Sequence, residues 1–127
     1  MIADRFGVVT VPDEIRMEIM RRWRLVNIPS DCITSVRPIN IPVPELHLRK
    51  EELEAKFIEI ARKQIEEEGA QAIVPGCGLY LPVLGPNSRE RLEGALGVPV
   101  LPGAPLLVKF AEMMVNVNLR QSRKAYP

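Results

Sequence analysis

The stretch Ala72-Ile-Val-Pro-Gly-Cys-Gly78 decides the fold, because it joins a buried strand to a tight turn. Its first residues form a short apolar run of the kind that lies inside a sheet. Pro75 and the two glycines cannot extend a regular strand, so they predict a turn that carries Cys77 out of the sheet. Binding and catalytic residues concentrate on loops held by rigid elements. Cys77 is therefore the leading candidate for chemistry in this chain.

Strands and helices alternate on both sides of this turn. Residues 5–10 form an apolar run that stops before a proline, and residues 49–68 repeat apolar side chains with helical spacing. By hydrophobic spacing and turn residues we also expect strands at residues 33–37 and 98–101, helices at residues 12–26, 88–96 and 103–119, and a polar tail at residues 120–127.

This alternation predicts an α/β protein that folds as one domain over residues 1–127. Parallel strands need crossover connections, and the helices in those crossovers cover the sheet. We therefore expect a parallel four-stranded sheet with helices on both faces. Ligands of such sheets bind beyond the carboxyl ends of the strands, so we expect a ligand to bind at the loops that begin at Thr10, Arg37, Gly76 and Leu101.

Composition narrows the class of partner. The chain has 17 Lys and Arg against 16 Asp and Glu, a net charge of +1, which supplies no field for nucleic acid or an anionic membrane. No apolar run reaches the roughly 18 residues of a membrane span, and the first residues lack the order of a signal peptide. We expect a cytoplasmic protein with a small-molecule partner, and neither nucleic-acid nor membrane binding.

The cysteine and histidine content argues against a metal or a disulfide. Cys32 and Cys77 are expected to be thiols, because a cytoplasmic chain with a core of this size does not need a bridge. His47 is the single histidine, and no close Cys/His spacing accompanies it. No metal site and no cofactor are expected.

Cys77 combines three features that favour function over the alternative, a buried structural cysteine. It follows a buried strand, glycines flank it, and the next residues can start a helix. The partial positive charge at a helix N-terminus favours the thiolate, which is the form that acts as a base or nucleophile. Because glycines allow close approach, the amides of Gly76, Cys77 and Gly78 could hold a carboxylate or enolate oxygen.

Thr10 and Val11 follow the first strand at the same predicted edge of the sheet. The Thr10 hydroxyl could bond a substrate carboxylate, or it could cap the helix that begins at Pro12, and the two interpretations are equally open. We place Thr10, Val11, Gly76 and Gly78 in a predicted substrate-binding set around Cys77.

The segment Gly69-Ala-Gln-Ala-Ile-Val-Pro-Gly-Cys-Gly78, followed by Leu96-Gly-Val-Pro-Val-Leu-Pro-Gly103, resembles the aspartate/glutamate and hydantoin racemase superfamily. The resemblance covers nearly the whole chain, but only the second half of the usual family sequence. The chain departs from the family pattern at Gly78, where Thr or Ala is more usual, at Pro75, usually aliphatic, and at Pro102, often acidic.

The resemblance implies a cofactor-independent racemase or isomerase that acts on a small carboxylate or hydantoin-type ligand. Members typically use two cysteines, one from each pseudo-symmetric half, on opposite faces of the substrate's α-carbon, and Cys77 matches the second of them. Thr10 matches a turn that lines the family's pocket. The last helix of the family packs on the first half, so this chain would need a homo-oligomer or a separate first-half domain to cover that helix.

Two other functions stay open at this stage. Arylmalonate decarboxylase, a relative of the family, uses a single cysteine as proton donor, which makes a single-cysteine lyase possible. The chain could also be a non-catalytic half-domain used for ligand binding or assembly.

Overall fold

The structure, a computed structural model, describes residues 2–10 and 12–125. Parallel strands and helices alternate along this part of the chain. The strands are β1 (Phe6–Thr10), β2 (Ile33–Pro38) and β3 (Ala72–Pro75). The helices are α1 (Asp13–Leu25), α2 (Lys50–Glu66), α3 (Tyr80–Leu84), α4 (Ser88–Leu96) and α5 (Gly103–Asn116). Short 3-10 turns at Ser30–Cys32 and Val43–Glu45 lead towards β2 and α2.

β1 is the central strand of the sheet, whose order is β2-β1-β3. Val8 pairs in parallel register with Val36 of β2 on one side and with Val74 of β3 on the other. The carboxyl ends of the strands therefore meet at one edge of the sheet. These features confirm the predicted α/β class and the parallel sheet.

The predicted fourth strand at residues 98–101 is wrong, and the sheet has three strands in the described part of the chain. Val100 forms only an isolated parallel bridge with Ile73, held by backbone hydrogen bonds of 2.9 Å. Pro99 and Pro75 have no amide hydrogen at the positions where the next ladder hydrogen bonds would form, so the pairing cannot extend on either side of Val100. The segment still runs beside β3 and leads into α5 at the carboxyl edge of the sheet.

α2 lies against one face of the sheet and closes the main core. The Gln64 side-chain amide donates to the Val8 carbonyl at 3.0 Å and to Ser35 Oγ at 2.9 Å, which ties the helix to two strands. A Cβ on Gly7 would come within 2.8 Å of Gln64 Oε1, so the helix can approach β1 only because this residue has no side chain. The core on this face includes Val9, Ile41, Leu46, Leu53, Phe57, Ala61, Ile73, Tyr80, Leu92 and Val100.

α1 covers the opposite face less completely. Successive side chains of a strand point to opposite faces, so Val8 points away from α2, and it is fully buried. α1 packs against β2, with Ile19 and Trp23 half-buried, although none of its residues is fully buried. Helices therefore lie on both faces of the sheet.

α5 is apolar but projects from the rest of the described structure. None of its 14 residues is buried, and Met114 alone is half-buried. A helix that is apolar around most of its circumference normally lies inside a protein. No helix in the described residues is long and apolar enough to cross a membrane. Eight large apolar side chains in and after α5 are 47–74% exposed: Leu106, Leu107, Val108, Phe110, Met113, Val115, Val117 and Leu119.

Candidate functional site

Cys77 lies on the turn between β3 and α3, at the carboxyl edge of the sheet. Its carbonyl accepts a hydrogen bond from the Tyr80 amide at 3.2 Å, which closes the turn. Its side chain is half-buried, packs against the core and is a free thiol. A helix does follow the cysteine, but α3 begins three residues later and has only five residues.

A cleft of about 240 Å³ opens beside Cys77. Its walls come from the turn after β3, from α3 and from the first residues of α5, and Cys77 carries the only titratable side chain among the described residues that line it. The lining residues are Pro75, Cys77, Gly78, Leu81, Pro82, Leu101, Pro102, Gly103, Ala104 and Pro105. The arrangement offers one thiol to a small molecule held between apolar walls.

Thr10 and Gly76 contact each other at neighbouring strand ends. The Gly76 amide donates to the Val9 carbonyl at 2.7 Å, and a Cβ on Gly76 would lie 3.0 Å from Thr10 Cβ. Thr10 is fully buried, and its Oγ1 has no hydrogen-bond partner among the described residues. α1 has no side-chain cap, so the capping interpretation of Thr10 is wrong. A buried hydroxyl that lacks a partner costs about 1–3 kcal/mol.

The predicted substrate-binding residues are only partly brought together. Gly78 lines the cleft with Cys77, and nothing lies within 4 Å of a Cβ built on it, so this position is open. Thr10, at the adjacent strand end, contacts Gly76 of the turn, and neither residue is part of the cleft wall. The Gly76 amide already donates to the Val9 carbonyl, so the prediction that this amide holds a ligand oxygen is wrong. Val11 lies outside the described residues.

Tyr80 is a neighbour of Cys77 that sequence reasoning missed. It is fully buried, its ring packs edge-on against Phe57 with centroids 6.1 Å apart, and its hydroxyl has no partner among the described residues. Burial raises the pKa of Tyr80 well above its ordinary range, and negative charge at Cys77 raises it further. Tyr80 therefore stays a neutral phenol that anchors the turn in the core. Tyr80 lies three residues after Cys77, about one helical turn, and this spacing is the signal in the sequence that could have identified it as a neighbour.

Cys32 lies far from this site. It ends the 3-10 turn that leads into the amino end of β2, whereas Cys77 follows the carboxyl end of β3. A strand of five residues spans about 16 Å, so parallel strands hold the two cysteines at opposite edges of the sheet. Among residues 2–10 and 12–125, no group of three or more His, Cys, Asp or Glu side chains could hold a metal ion.

The fold and the position of Cys77 define an α/β protein with a cysteine-bearing cleft at the carboxyl edge of a parallel sheet. No protein-family model matches the chain. Among curated proteins it is 34% identical to a hydantoin racemase from Rhizobium meliloti, an alignment that covers 95% of this chain and 56% of that protein. It is 30% identical to a hydantoin racemase from Pseudomonas sp. (strain NS671), over 97% of this chain and 47% of that protein.

Two solved structures of allantoin racemases have a similar fold. The allantoin racemase from Pseudomonas fluorescens superposes with a TM-score of 0.82 at 27% identity, over 95% of this chain and 49% of that one. The allantoin racemase from Klebsiella pneumoniae gives a TM-score of 0.76 at 26% identity, over 96% of this chain and 47% of that one. The chain is therefore a homologue of hydantoin and allantoin racemases, as the sequence resemblance predicted. It spans about half the length of these relatives.

Proposed function

We propose that this chain contributes the cysteine-bearing half of a cofactor-independent racemase-like site. Cys77 would move a proton at a carbon next to the carboxylate of an amino acid or the carbonyl of a hydantoin-type ligand. The observation that carries the proposal is the position of Cys77 in the cleft at the carboxyl edge of the sheet. The homology to hydantoin racemases supports the ligand class.

The surroundings of Cys77 suit this proton transfer. Removal of a proton next to a carbonyl places negative charge on its oxygen, and backbone amides can stabilise that charge. Gly78 leaves room for a ligand on its Cβ side, because no atom beyond its chain neighbours lies within 4 Å of the position a Cβ would take. The apolar walls from α3 and the start of α5 would keep water away from the reacting carbon.

Deuterium exchange at the stereocentre tests this function. In D₂O, the wild-type chain should exchange the proton of a 5-substituted hydantoin, of allantoin or of an amino acid, as followed by NMR. Cys77→Ala should lower the exchange rate at least about 100-fold, because it removes the acid/base group. Cys32→Ala is the matched control and should exchange at the wild-type rate, since Cys32 lies at the other edge of the sheet.

Equal exchange by wild type and Cys77→Ala would contradict the role of Cys77. Binding of these ligands without exchange by any variant would favour the non-catalytic half-domain instead. Carbon dioxide release from an arylmalonate without racemisation would favour the single-cysteine lyase.

A further inference from the structure

A second cavity, of about 160 Å³, lies between the C-terminal half of α1 and residues Ile33–Val36 of β2. We refer to it as the α1–β2 cavity. None of its lining residues also lines the cleft beside Cys77. Because β2 starts at the amino edge of the parallel sheet and Cys77 follows the carboxyl end of β3, the two openings lie towards opposite edges of the sheet.

The walls of the α1–β2 cavity are mostly apolar. Met20, Trp23 and Arg24 form the wall from α1, because their i, i+3, i+4 spacing places them on one face of the helix. Ile28, after the helix, and Val36 of β2 contribute apolar surface to the same cavity. An apolar cavity of about 150 Å³ holds one benzene molecule, so this cavity admits a single ring or a branched chain of similar size.

Arg24 gives the α1–β2 cavity a positive charge. Two other arginines of the helix are paired, Arg16 with Asp13 at 3.0 Å and Arg22 with Glu18 at 2.9 Å. Arg24 has no ion-pair partner among the described residues, and none of their Asp or Glu side chains lines the cavity. A guanidinium donates two parallel hydrogen bonds to a carboxylate, so an unpaired arginine beside an apolar cavity favours a ligand that carries a carboxylate.

The hydroxyl groups at the cavity limit how many ligand oxygens it can satisfy. Thr34 Oγ1 already donates to the Phe6 carbonyl at 3.3 Å, and Ser35 Oγ donates to the Glu68 carboxylate. Ser30, in the 3-10 turn before β2, is exposed and can donate to a ligand. One guanidinium and one hydroxyl suit the two oxygens of a carboxylate better than the three acceptor oxygens and larger charge of a phosphate group.

We propose that the α1–β2 cavity binds a small monocarboxylate whose body is one aromatic ring or a branched aliphatic chain. The body of the ligand packs against Trp23, and its carboxylate accepts hydrogen bonds from Arg24. No residue of α1 is fully buried, so a ligand held between α1 and β2 also fixes this helix on the sheet. The site is separate from the Cys77 cleft, and its occupancy does not depend on chemistry at Cys77.

Trp23 is the single tryptophan of the chain, so its fluorescence reports directly on this cavity. Titration with benzoate should change the Trp23 emission saturably, with half-saturation below about 5 mM. Benzyl alcohol, which has the same ring without the charge, should bind at least about tenfold more weakly, and inorganic phosphate should leave the emission unchanged. The absence of a saturable response to benzoate, or equal affinity for benzyl alcohol or phosphate, would overturn the proposal.

Variants of two arginines on α1 form a matched pair for the role of Arg24. Arg24→Gln should lower the affinity for benzoate at least about tenfold, because it removes the charged donor. Arg21→Gln is the control, since Arg21 is exposed on the same helix but does not line the cavity, and it should keep the wild-type affinity. Equal affinities of the two variants would contradict a contact between the carboxylate and Arg24.

Backbone amide chemical shifts locate the bound probe without use of Trp23. In proton–nitrogen correlation spectra, benzoate should move the amide signals of Ile28, Ser30 and Thr34 and leave those of Gly78 and Leu101 in place. Cys77→Ala should bind benzoate with the wild-type affinity, whatever its effect on proton exchange. Shifts centred on Gly78 and Leu101, or loss of binding in Cys77→Ala, would place benzoate in the Cys77 cleft and overturn the proposal.

Discussion

Gly76 and Gly78 flank Cys77 in sequence but stand in different surroundings. A Cβ on Gly76 would lie 3.1 Å from the Cα and from the Oγ1 of Thr10, whereas a Cβ on Gly78 would meet nothing within 4 Å. The backbone of Thr10 cannot move without disturbing the central strand. Gly76 is thus required by packing between two strand ends, and Gly78 is free to serve a ligand.

Gly76→Ala should therefore lower the free energy of unfolding by about 1–3 kcal/mol, the usual cost of overpacking a core. Gly78→Ala is the matched control and should change it by less than about 0.5 kcal/mol. Urea unfolding followed by circular dichroism measures both variants. Equal stability of the two variants would show that strand ends at Thr10 and Gly76 are less tightly packed than the structure indicates.

Thr10→Val exchanges a hydroxyl for a methyl group where Oγ1 has no partner among the described residues. Because the variant no longer buries an unpaired polar group, the free energy of unfolding should rise by about 1 kcal/mol. If the hydroxyl bonds the ligand, the same change should raise KM for a racemisable substrate by about tenfold. A gain in stability with no change in KM would assign Thr10 to the fold alone.

At the level of single residues, sequence reasoning found Cys77 because a strand–glycine–cysteine–glycine order is a local pattern. It could not find the partner that Thr10 lacks or the burial of Tyr80. Both depend on which strand ends become neighbours, and the order β2-β1-β3 is a property of the assembled sheet.

Glu68, just after α2, links that helix to β2. Its carboxylate accepts hydrogen bonds from Ser35 Oγ and from the guanidinium of Arg37, whose Nε donates at 2.9 Å. Partial burial favours a higher pKa for Glu68, but the hydrogen bonds from Ser35 and Arg37 and the charge of Arg37 outweigh it and lower the pKa below its ordinary value. Arg37 is thus engaged in an ion pair within the fold.

The Glu68 contacts predict how stability depends on pH. Because the pKa of Glu68 is lower in the folded state, the unfolded chain binds the proton first, and the contribution of Glu68 is lost as pH falls below about 4.3. Glu68→Gln should lower the free energy of unfolding by about 1 kcal/mol at pH 7 and flatten its fall between about pH 5 and pH 3. Urea unfolding at several pH values, with the exposed neighbour variant Glu67→Gln as control, measures this. Matching acid slopes for wild type and Glu68→Gln would contradict the assignment.

Helices and strands were predictable where periodicity was strong. The structure has α2 at Lys50–Glu66 and β1 at Phe6–Thr10, close to the predicted ranges. The fourth strand was mispredicted because the apolar run contains Pro99 and runs beside Pro75 of β3. Neither proline has the amide hydrogen that the next ladder hydrogen bond needs, so pairing is limited to one bridge between Val100 and Ile73. Apolar composition predicts burial of a segment, but continuous pairing requires amide donors on successive residues.

At the scale of the whole molecule, α5 stands out because none of its residues is buried against the rest of the described structure. The allantoin racemases that superpose on this fold and the hydantoin racemases that align with its sequence are about twice as long as the aligned chain. The first residues of α5 line the Cys77 cleft, and the apolar side chains farther along the helix are exposed.

The sequence by itself determined the α/β class, the turn that carries Cys77 and the homology to racemases, because each of these depends on short-range patterns of apolar, proline and glycine residues. Only the tertiary structure decided that the sheet has three strands, that Thr10 supports Gly76 without capping α1, and that the first turn of α5 forms a wall of the Cys77 cleft. These outcomes depend on contacts between residues far apart in sequence, and such contacts form only when the strand order and the packing of each helix are set.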